Sequence, residues 1–290
     1  TGTAIKAIDN GSGSCNNFAL FTGNQYTKVG VCDDPNGHDH LYEQMYPVKT
    51  WGTDYTIVEF EGRIGGDVVK VLAAQDNTTV TVGDNEYIIN KSEHLFLTLT
   101  GINSIHADKP VAVGQFSRSM GCDNTLGDPF FILISPDQQL LRSITFNCPT
   151  IATVTDYALT IVVPTIGAND VLFDNFNIGY RFAPVPDNPE MSFARVSTTA
   201  GNHSLFSDVG FIAYIYGYGW NESFGYATGA GLSNLSLGVQ ITNQLGLNIP
   251  TDSLCLFDQA VFKPITTKNY DSFIYNFGDG TSVVRQNKDS

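Results

Sequence analysis

Short runs of β-forming residues, cut off at close intervals by Asn, Asp, Gly or Pro, recur from one end of this chain to the other, and that punctuation limits what it can fold into. Val68–Ala73 runs into Gln75-Asp76-Asn77, Thr79–Val82 follows, and Gly83-Asp84-Asn85 turns the chain into Tyr87–Ile89. His94–Leu99 and Val111–Phe116 come next, the latter entered through Asp108-Lys109-Pro110. Phe130–Ile134 is apolar at every position, which predicts a strand covered on both faces. A short helix is predicted only around Gln138-Gln139-Leu140-Leu141. With 290 residues and 42% hydrophobic composition the chain can bury a sizeable core. The expectation is an all-β fold of tandem antiparallel β-sandwiches, jelly-roll or Greek-key in style, with a β-propeller-like arrangement as the alternative.

Two stretches read as copies. Laying Gly101–Phe116 on Gly201–Tyr216 aligns Gly101 with Gly201, Ser104 with Ser204 and Asp108 with Asp208, with Ile105/Leu205, Val111/Phe211 and Val113/Ala213 in step. Upstream, Val69–Val82 resembles Leu159–Phe173, so repeats are expected over about 57–117 and 157–217 inside a β region spanning 1–250. Ile5–Asp9 with Phe18–Phe21 reads as the tail of a further copy. Thr1–Ile5 has neither the basic nor the apolar part of a secretory leader, which points to a mature or trimmed chain.

Charge excludes some partners. Lys+Arg 15 against Asp+Glu 29 gives a net −14, which repels nucleic acid and gives no polybasic anchor for an anionic membrane surface. No apolar run approaches the ~20 residues of a membrane helix. Cys15, Cys32, Cys122, Cys148 and Cys255 show no zinc-type spacing. Two disulfides, Cys15–Cys32 and Cys122–Cys148, close the shortest loops, and five reduced, buried thiols are the alternative.

The segment Gly37-His38-Asp39-His40-Leu41-Tyr42-Glu43-Gln44-Met45-Tyr46-Pro47-Val48-Lys49-Thr50-Trp51-Gly52 resembles the signature of the IgGFc-binding protein N-terminal domain family. Ala107–Ser117, Gly127–Pro136 and Gly210–Gly219 with Glu222–Tyr226 are similar to its later motifs, in the same order. Tyr275–Thr281 resembles the Phe-Gly-Asp-Gly-Thr strand of a PKD-like immunoglobulin-type module, which would occupy 251–290 in part. The resemblance implies a non-catalytic adhesion or scaffold module of a secreted or cell-surface, multi-domain protein of bacterial type. Its partner would be an extracellular protein or glycoprotein such as mucin or immunoglobulin. A carbohydrate- or mucin-binding module and an assembly subunit of a surface fibre or virion appendage are the alternatives. No catalytic residues come with the resemblance.

Residue chemistry adds three expectations. His38, Asp39 and His40 form the densest group of metal-ligating side chains, and two imidazoles at i and i+2 on extended backbone face one side; they hold a structural divalent cation or brace a loop. No other cofactor is expected, and the Asp/Asn pairs at 76–77, 84–85 and 123–124 and Asp128 lack calcium-loop spacing. Period-two alternation puts Ile212, Tyr214, Tyr216, Tyr218 and Trp220 on one face of a strand. Tyr214 and Tyr216 are predicted as core, whereas Tyr218 and Trp220 fit either a core end or an exposed aromatic binding platform. Loops at Asp33–His40, Ser117–Asp128 and Pro184–Pro189 are the expected display elements. No Gly-x-Ser-x-Gly elbow, phosphate loop or dinucleotide fingerprint occurs, so no enzyme is expected.

Overall fold

The computed structural model describes residues 2–7, 18–30, 37–233 and 235, together with the backbone of four strands further on. The chain divides into two compact units, Thr1–Leu232 and Ser233–Ser290. The first opens with an antiparallel ribbon of β1 (Phe21–Thr27) and β2 (Asp39–Gln44). A sheet follows, built from β3 (Gly52–Val58), β4 (Asp67–Ala73), β5 (Thr78–Val82), β6 (Asn85–Ile89), β7 (His94–Leu99), β8 (Ile102–Phe116) and β9 (Phe131–Ile134). The next sheet holds β10 (Leu141–Cys148), β11 (Val154–Pro164), β12 (Leu172–Phe173), β13 (Phe176–Asn177), β14 (Ala183–Val185), β15 (Asn188–Ser197), β16 (Gly201–Gly219) and β17 (Glu222–Ala227).

Each sheet is wound round one long strand that changes partners halfway. In β8, Ile102–Ala107 pairs with β3 and β5, and Val111–Phe116 pairs with β4 and β9. In β16, Gly201–Phe206 pairs with β10 and β12, and the following stretch pairs with β11 and β17. The registers correspond: Ile105 lies between Tyr55 and Val82, and Leu205 between Ile144 and Phe173. Val113 pairs with Val71 where Ala213 pairs with Ile161. The crossing points have matching causes. Pro110 has no N–H for a ladder, and its carbonyl accepts from Ala74 N–H at 3.1 Å. Gly210 takes φ +91°, where a side chain is strained.

This curled, antiparallel pair of sheets is a β-sandwich arrangement. It is not a propeller, because a blade needs four strands paired in sequence order, whereas β4 lies between β8 and β7, and β5 between β6 and β8. The helix expected at Gln138–Leu141 does not form. Gln138 Nε2 donates to Thr53 Oγ1 at 3.1 Å and Gln139 Nε2 to the Thr50 carbonyl at 3.2 Å, which ties the segment against β3 as a turn leading into β10. Ile132 and Ile134 of β9 are buried in the core, and on the strand's outer side Leu133 N–H donates to Glu43 of β2 at 3.4 Å.

One core cluster, with Tyr55, Val69, Val71, Val113, Ile132 and Ile134 from the first sheet, also takes in Val162, Ile212, Tyr214, Tyr216 and Tyr218 from the second. A second cluster, including Leu159, Ile161, Leu205, Phe211, Ala213 and Ile215, fills the interior of the later sheet. The second unit contains two antiparallel pairs, β18 (Gly238–Asn243) with β19 (Ala260–Ile265), and β20 (Ser272–Tyr275) with β21 (Val284–Asn287). Most of the PKD-like segment Tyr275–Thr281 lies outside the described residues.

Four carboxyls are enclosed by this packing. Burial pushes Asp67 up to about 7, and Glu43, Asp128 and Asp137 up to about 6. The folded chain therefore holds protons that the unfolded chain releases near pH 4, so stability is greatest at the acidic end of this window and falls as pH rises through 6 to 7. Asp174, held low by its His203 and Ser204 partners once burial is overcome, acts only below this range. Thermal melts are expected to rise on going from pH 8 to pH 5.5, with Asp67 alone supplying about 2 kcal/mol of stability, roughly 4–8 °C. A flat or falling profile would count against these burials.

Candidate functional site

The face of β16 predicted from alternation is the seam between the two sheets. The Tyr216 ring meets Phe60 edge-on at 4.9 Å, its hydroxyl accepts Glu61 N–H at 2.9 Å, and it lies 3.1 Å from Thr160 Oγ1. Tyr214 Oη accepts Ser135 N–H at 2.9 Å. Both are core, as their apolar neighbourhood in the sequence implies. Tyr218 is core too: it is 6% exposed, and burial raises its hydroxyl far above the usual phenol range. That excludes half of the expected aromatic platform. Trp220 differs, being 69% exposed at the turn between β16 and β17, where Asn221 adopts φ +51°.

Arg63 explains why Tyr218 is covered. It leaves the Gly-rich turn between β3 and β4, and its side chain is fully buried. The guanidinium lies 4.6 Å over the Tyr218 ring, Nε donates to Ser117 Oγ at 3.1 Å, and Nη1 donates to Asp123 Oδ1 at 3.2 Å and to Thr125 Oγ1 at 2.6 Å. Asp123 Oδ2 also accepts Ile64 N–H at 3.3 Å. Farther along the same loop, Gly127 N–H donates to the Gly219 carbonyl at 2.8 Å, and the Asp128 carbonyl accepts from Ser223 Oγ at 2.6 Å. The loop Ser117–Asp128 is thus braced at both ends rather than freely displayed.

Beside this brace opens a cleft of about 490 Å³, within the ~300–1,000 Å³ usual for ligand sites. Glu61, Gly62, Thr125 and Leu126 come from the first sheet's connections. Thr155–Ala158, Ser197, Thr198 and Tyr218 come from the second sheet and its edge. Hydroxyls, two carboxylates and aromatic rings therefore face one opening. Glu61 is held by Arg195 Nη1 at 3.1 Å. The Gly127 N–H bonded to the Gly219 carbonyl ties the chain next to Leu126, an exposed residue of the cleft lining, to the turn that carries exposed Trp220, which is outside that lining. Neither Arg63 nor Glu61 is marked by any sequence motif. Each sits in a turn that reads as surface, and only the fold brings them to Asp123 and Arg195.

The expected metal group is not assembled. His38 stacks on Tyr26 with ring centroids 4.7 Å apart, while His40 is exposed and its Nδ1 lies 2.8 Å from its neighbour Asp39. Among the described residues no three His, Cys, Asp or Glu side chains converge as a metal site. The bracing reading fits better, since His38 ends the preceding loop by packing on β1. Of that loop, residues 33–36 lie outside the described residues, as do Cys15, Cys32 and the Cys15–Cys32 pairing. The Cys122–Cys148 bridge does not form. Cys148 is a free thiol buried in the second core cluster at the end of β10, whereas Cys122 is disulfide-bonded in the loop after β8, its Sγ 3.5 Å from the Val29 carbonyl. Pro184–Pro189, expected as a display loop, is instead the hairpin joining β14 to β15. No helix among the described residues is long and apolar enough to cross a membrane.

No match was found among curated proteins or among solved structures. The family model described as IgGFc binding protein matches residues 1–217, about three quarters of the 290-residue chain, and that span holds both long bent strands nearly to their ends, Arg63 and most of the cleft lining. The chain therefore belongs to the IgGFc-binding protein family.

Proposed function

We propose that the chain is an extracellular adhesion module that binds a protein or glycoprotein and carries out no catalysis. The observation that carries this reading is the braced cleft, lined in part by exposed Leu126, with exposed Trp220 two residues along the chain from Tyr218 of its lining, on a scaffold of two packed sheets. Exposed Trp is the side chain most suited to anchor a partner, because it offers a large rigid surface at low conformational cost. The family description points to immunoglobulin Fc as one partner, and we propose mucin-type glycoproteins as another. The disulfide at Cys122 is in keeping with an oxidising, extracellular setting. Glu61 is engaged by Arg195 and is thus better placed to orient a ligand than to exchange protons with one.

A carbohydrate ligand is the second reading, favoured by the hydroxyl-rich lining at Thr125, Thr155, Ser197 and Thr198 and by Tyr157 in the wall. Surface plasmon resonance against immobilised Fc, mucin and a glycan array tests both. Trp220→Ala is expected to weaken the bound partner at least tenfold while leaving the melting temperature within about 2 °C, since the side chain is exposed. Equal affinity for wild type and variant would remove Trp220 from the interface. Binding to glycans alone would select the second reading.

A further inference from the structure

Behind the cleft wall one histidine is gripped at both ring nitrogens. His203 of β16 lies between the rings of Phe146 and Phe173, with centroids 5.8 and 5.2 Å away. Its Nδ1 is 2.7 Å from Asp174 Oδ2, and its Nε2 is 2.8 Å from the Thr199 carbonyl and 3.2 Å from Thr198 Oγ1. Asp174 is fixed in turn, because its Oδ1 accepts Ser204 N–H at 2.8 Å and its own N–H donates to the Ser204 carbonyl at 2.9 Å. A carboxylate and a carbonyl offer only lone pairs, so each ring nitrogen needs a proton to bond its partner. The ring therefore fits this setting as the imidazolium ion, stacked on the face of Phe173, which favours a cation. Of the described residues in contact with the ring, Asp174 alone carries a titratable group. The earlier sheet holds a neutral counterpart. Asn103 follows Gly101 as His203 follows Gly201, and its Nδ2 donates to the Thr100 carbonyl at 2.9 Å in the turn between β7 and β8. Bracing such a turn needs no charge, and what His203 and Asp174 add is a brace that depends on a proton.

We infer that the proton on His203 sets the position of the cleft wall carried by the turn after β15, and so links ligand binding at the cleft to pH. Ser197 and Thr198 line the cleft, and Thr198 N–H donates to the carbonyl of Tyr157, another lining residue, at 3.0 Å. When the ring loses a proton, one nitrogen presents a lone pair to an oxygen that presents another. Keeping the proton on Nδ1 satisfies Asp174; the Nε2 lone pair then repels the Thr199 carbonyl and accepts from the Thr198 hydroxyl instead. The charged ring thus holds Thr199 by its carbonyl, the neutral ring holds Thr198 by its hydroxyl, and the exchange re-aims a side chain of the cleft lining. The cleft described above is the one that goes with the charged ring, so a ligand that fits it binds more weakly once the proton has left. This inference rests on the reading of the cleft as a binding site and adds its regulation.

The test is a pH titration of the full chain, labelled with nitrogen-15 at histidine and threonine and followed by NMR at the His203 ring nitrogens and the Thr198 and Thr199 amides. At the acidic end both ring nitrogens are expected to carry protons. As the pH rises, Nε2 is expected to lose its proton while the two threonine amide resonances move with the same midpoint. His203→Asn, which gives the later sheet the residue the earlier sheet carries at this place, is expected to leave those resonances still over the same range. A ring with one proton throughout, a ring that keeps both until the chain unfolds, or a proton lost without movement at Thr198 and Thr199 overturns the proposal. So does an equal movement in His203→Asn, which would assign it to another group; should that variant not fold, the wild-type titration decides alone. Fc and mucin carry the test to the binding site. The affinity of whichever binds is expected to fall about fivefold or more across the transition in the wild type, and not in His203→Asn. An affinity that changes equally in both chains, or in neither, overturns the link to binding. Resonances that move as expected while neither Fc nor mucin binds at any pH would leave the switch standing and remove the cleft reading, and binding with resonances that stay still would do the reverse.

Discussion

Replacing Arg63 by Ala is expected to cost about 3–5 kcal/mol, because Asp123, 1% exposed in its side chain, would keep a buried charge with no cation beside it. The damage should be local in form and global in size. Ser117, Asp123 and Thr125 all lose a donor at once, and the Tyr218 ring loses the guanidinium that covers it. Removing both charges tests the cause. Arg63→Met with Asp123→Leu should regain most of the loss, since a well-packed apolar pair is often no less stable than a buried ion pair. Urea denaturation of the two single variants and the double provides the cycle, and a double no better than Arg63→Ala would show that the ion pair is not what braces the loop.

Replacing Tyr216 by Ala is the other large effect, also about 3–5 kcal/mol and roughly 6–20 °C in melting temperature. The ring is completely buried, where it contacts Phe60 just after β3 and Phe130 just before β9, and its hydroxyl accepts the Glu61 N–H. Tyr216→Phe separates the two contributions. It keeps the ring and leaves one backbone N–H without its acceptor, at about 1–3 kcal/mol. A Tyr216→Ala chain that melts within 2 °C of wild type would mean that the two sheets do not depend on this seam for their stability.

Residues with two buried faces were the most legible in the sequence. Phe211, Ala213 and Ile215 fill the interior of the later sheet, while Ile212, Tyr214 and Tyr216 close the seam, and strict alternation separates the two sets because a strand sends successive side chains to opposite sides. The same rule stops at Gly219. Trp220 shares its parity with Tyr218, but it sits in a turn, and a turn breaks the relation between parity and face. Tyr218 itself could not be placed by pattern, since what buries it is an arginine from a glycine-rich turn more than 150 residues earlier in the chain. Cys122 and Cys148 look like neighbours along the sequence, yet one lies in a braced loop and the other in the interior of the later sheet. His38 and His40 share parity, but stacking on Tyr26 holds the first and Asp39 engages the second. Sequence spacing identifies chemistry-bearing residues here; long-range packing decides which of them meet.

Ligand binding is expected at the cleft beside the Arg63 brace. Amide hydrogen exchange of the full chain, with and without the partner that binds it among Fc, mucin and glycans, tests this most directly. Slowed exchange is expected at Glu61–Gly62, Thr125–Leu126, Thr155–Ala158 and Ser197–Thr198, four segments far apart in sequence that border one opening. Protection confined to other surfaces, or no binding to any of the three, would mean that the cleft is not the binding site.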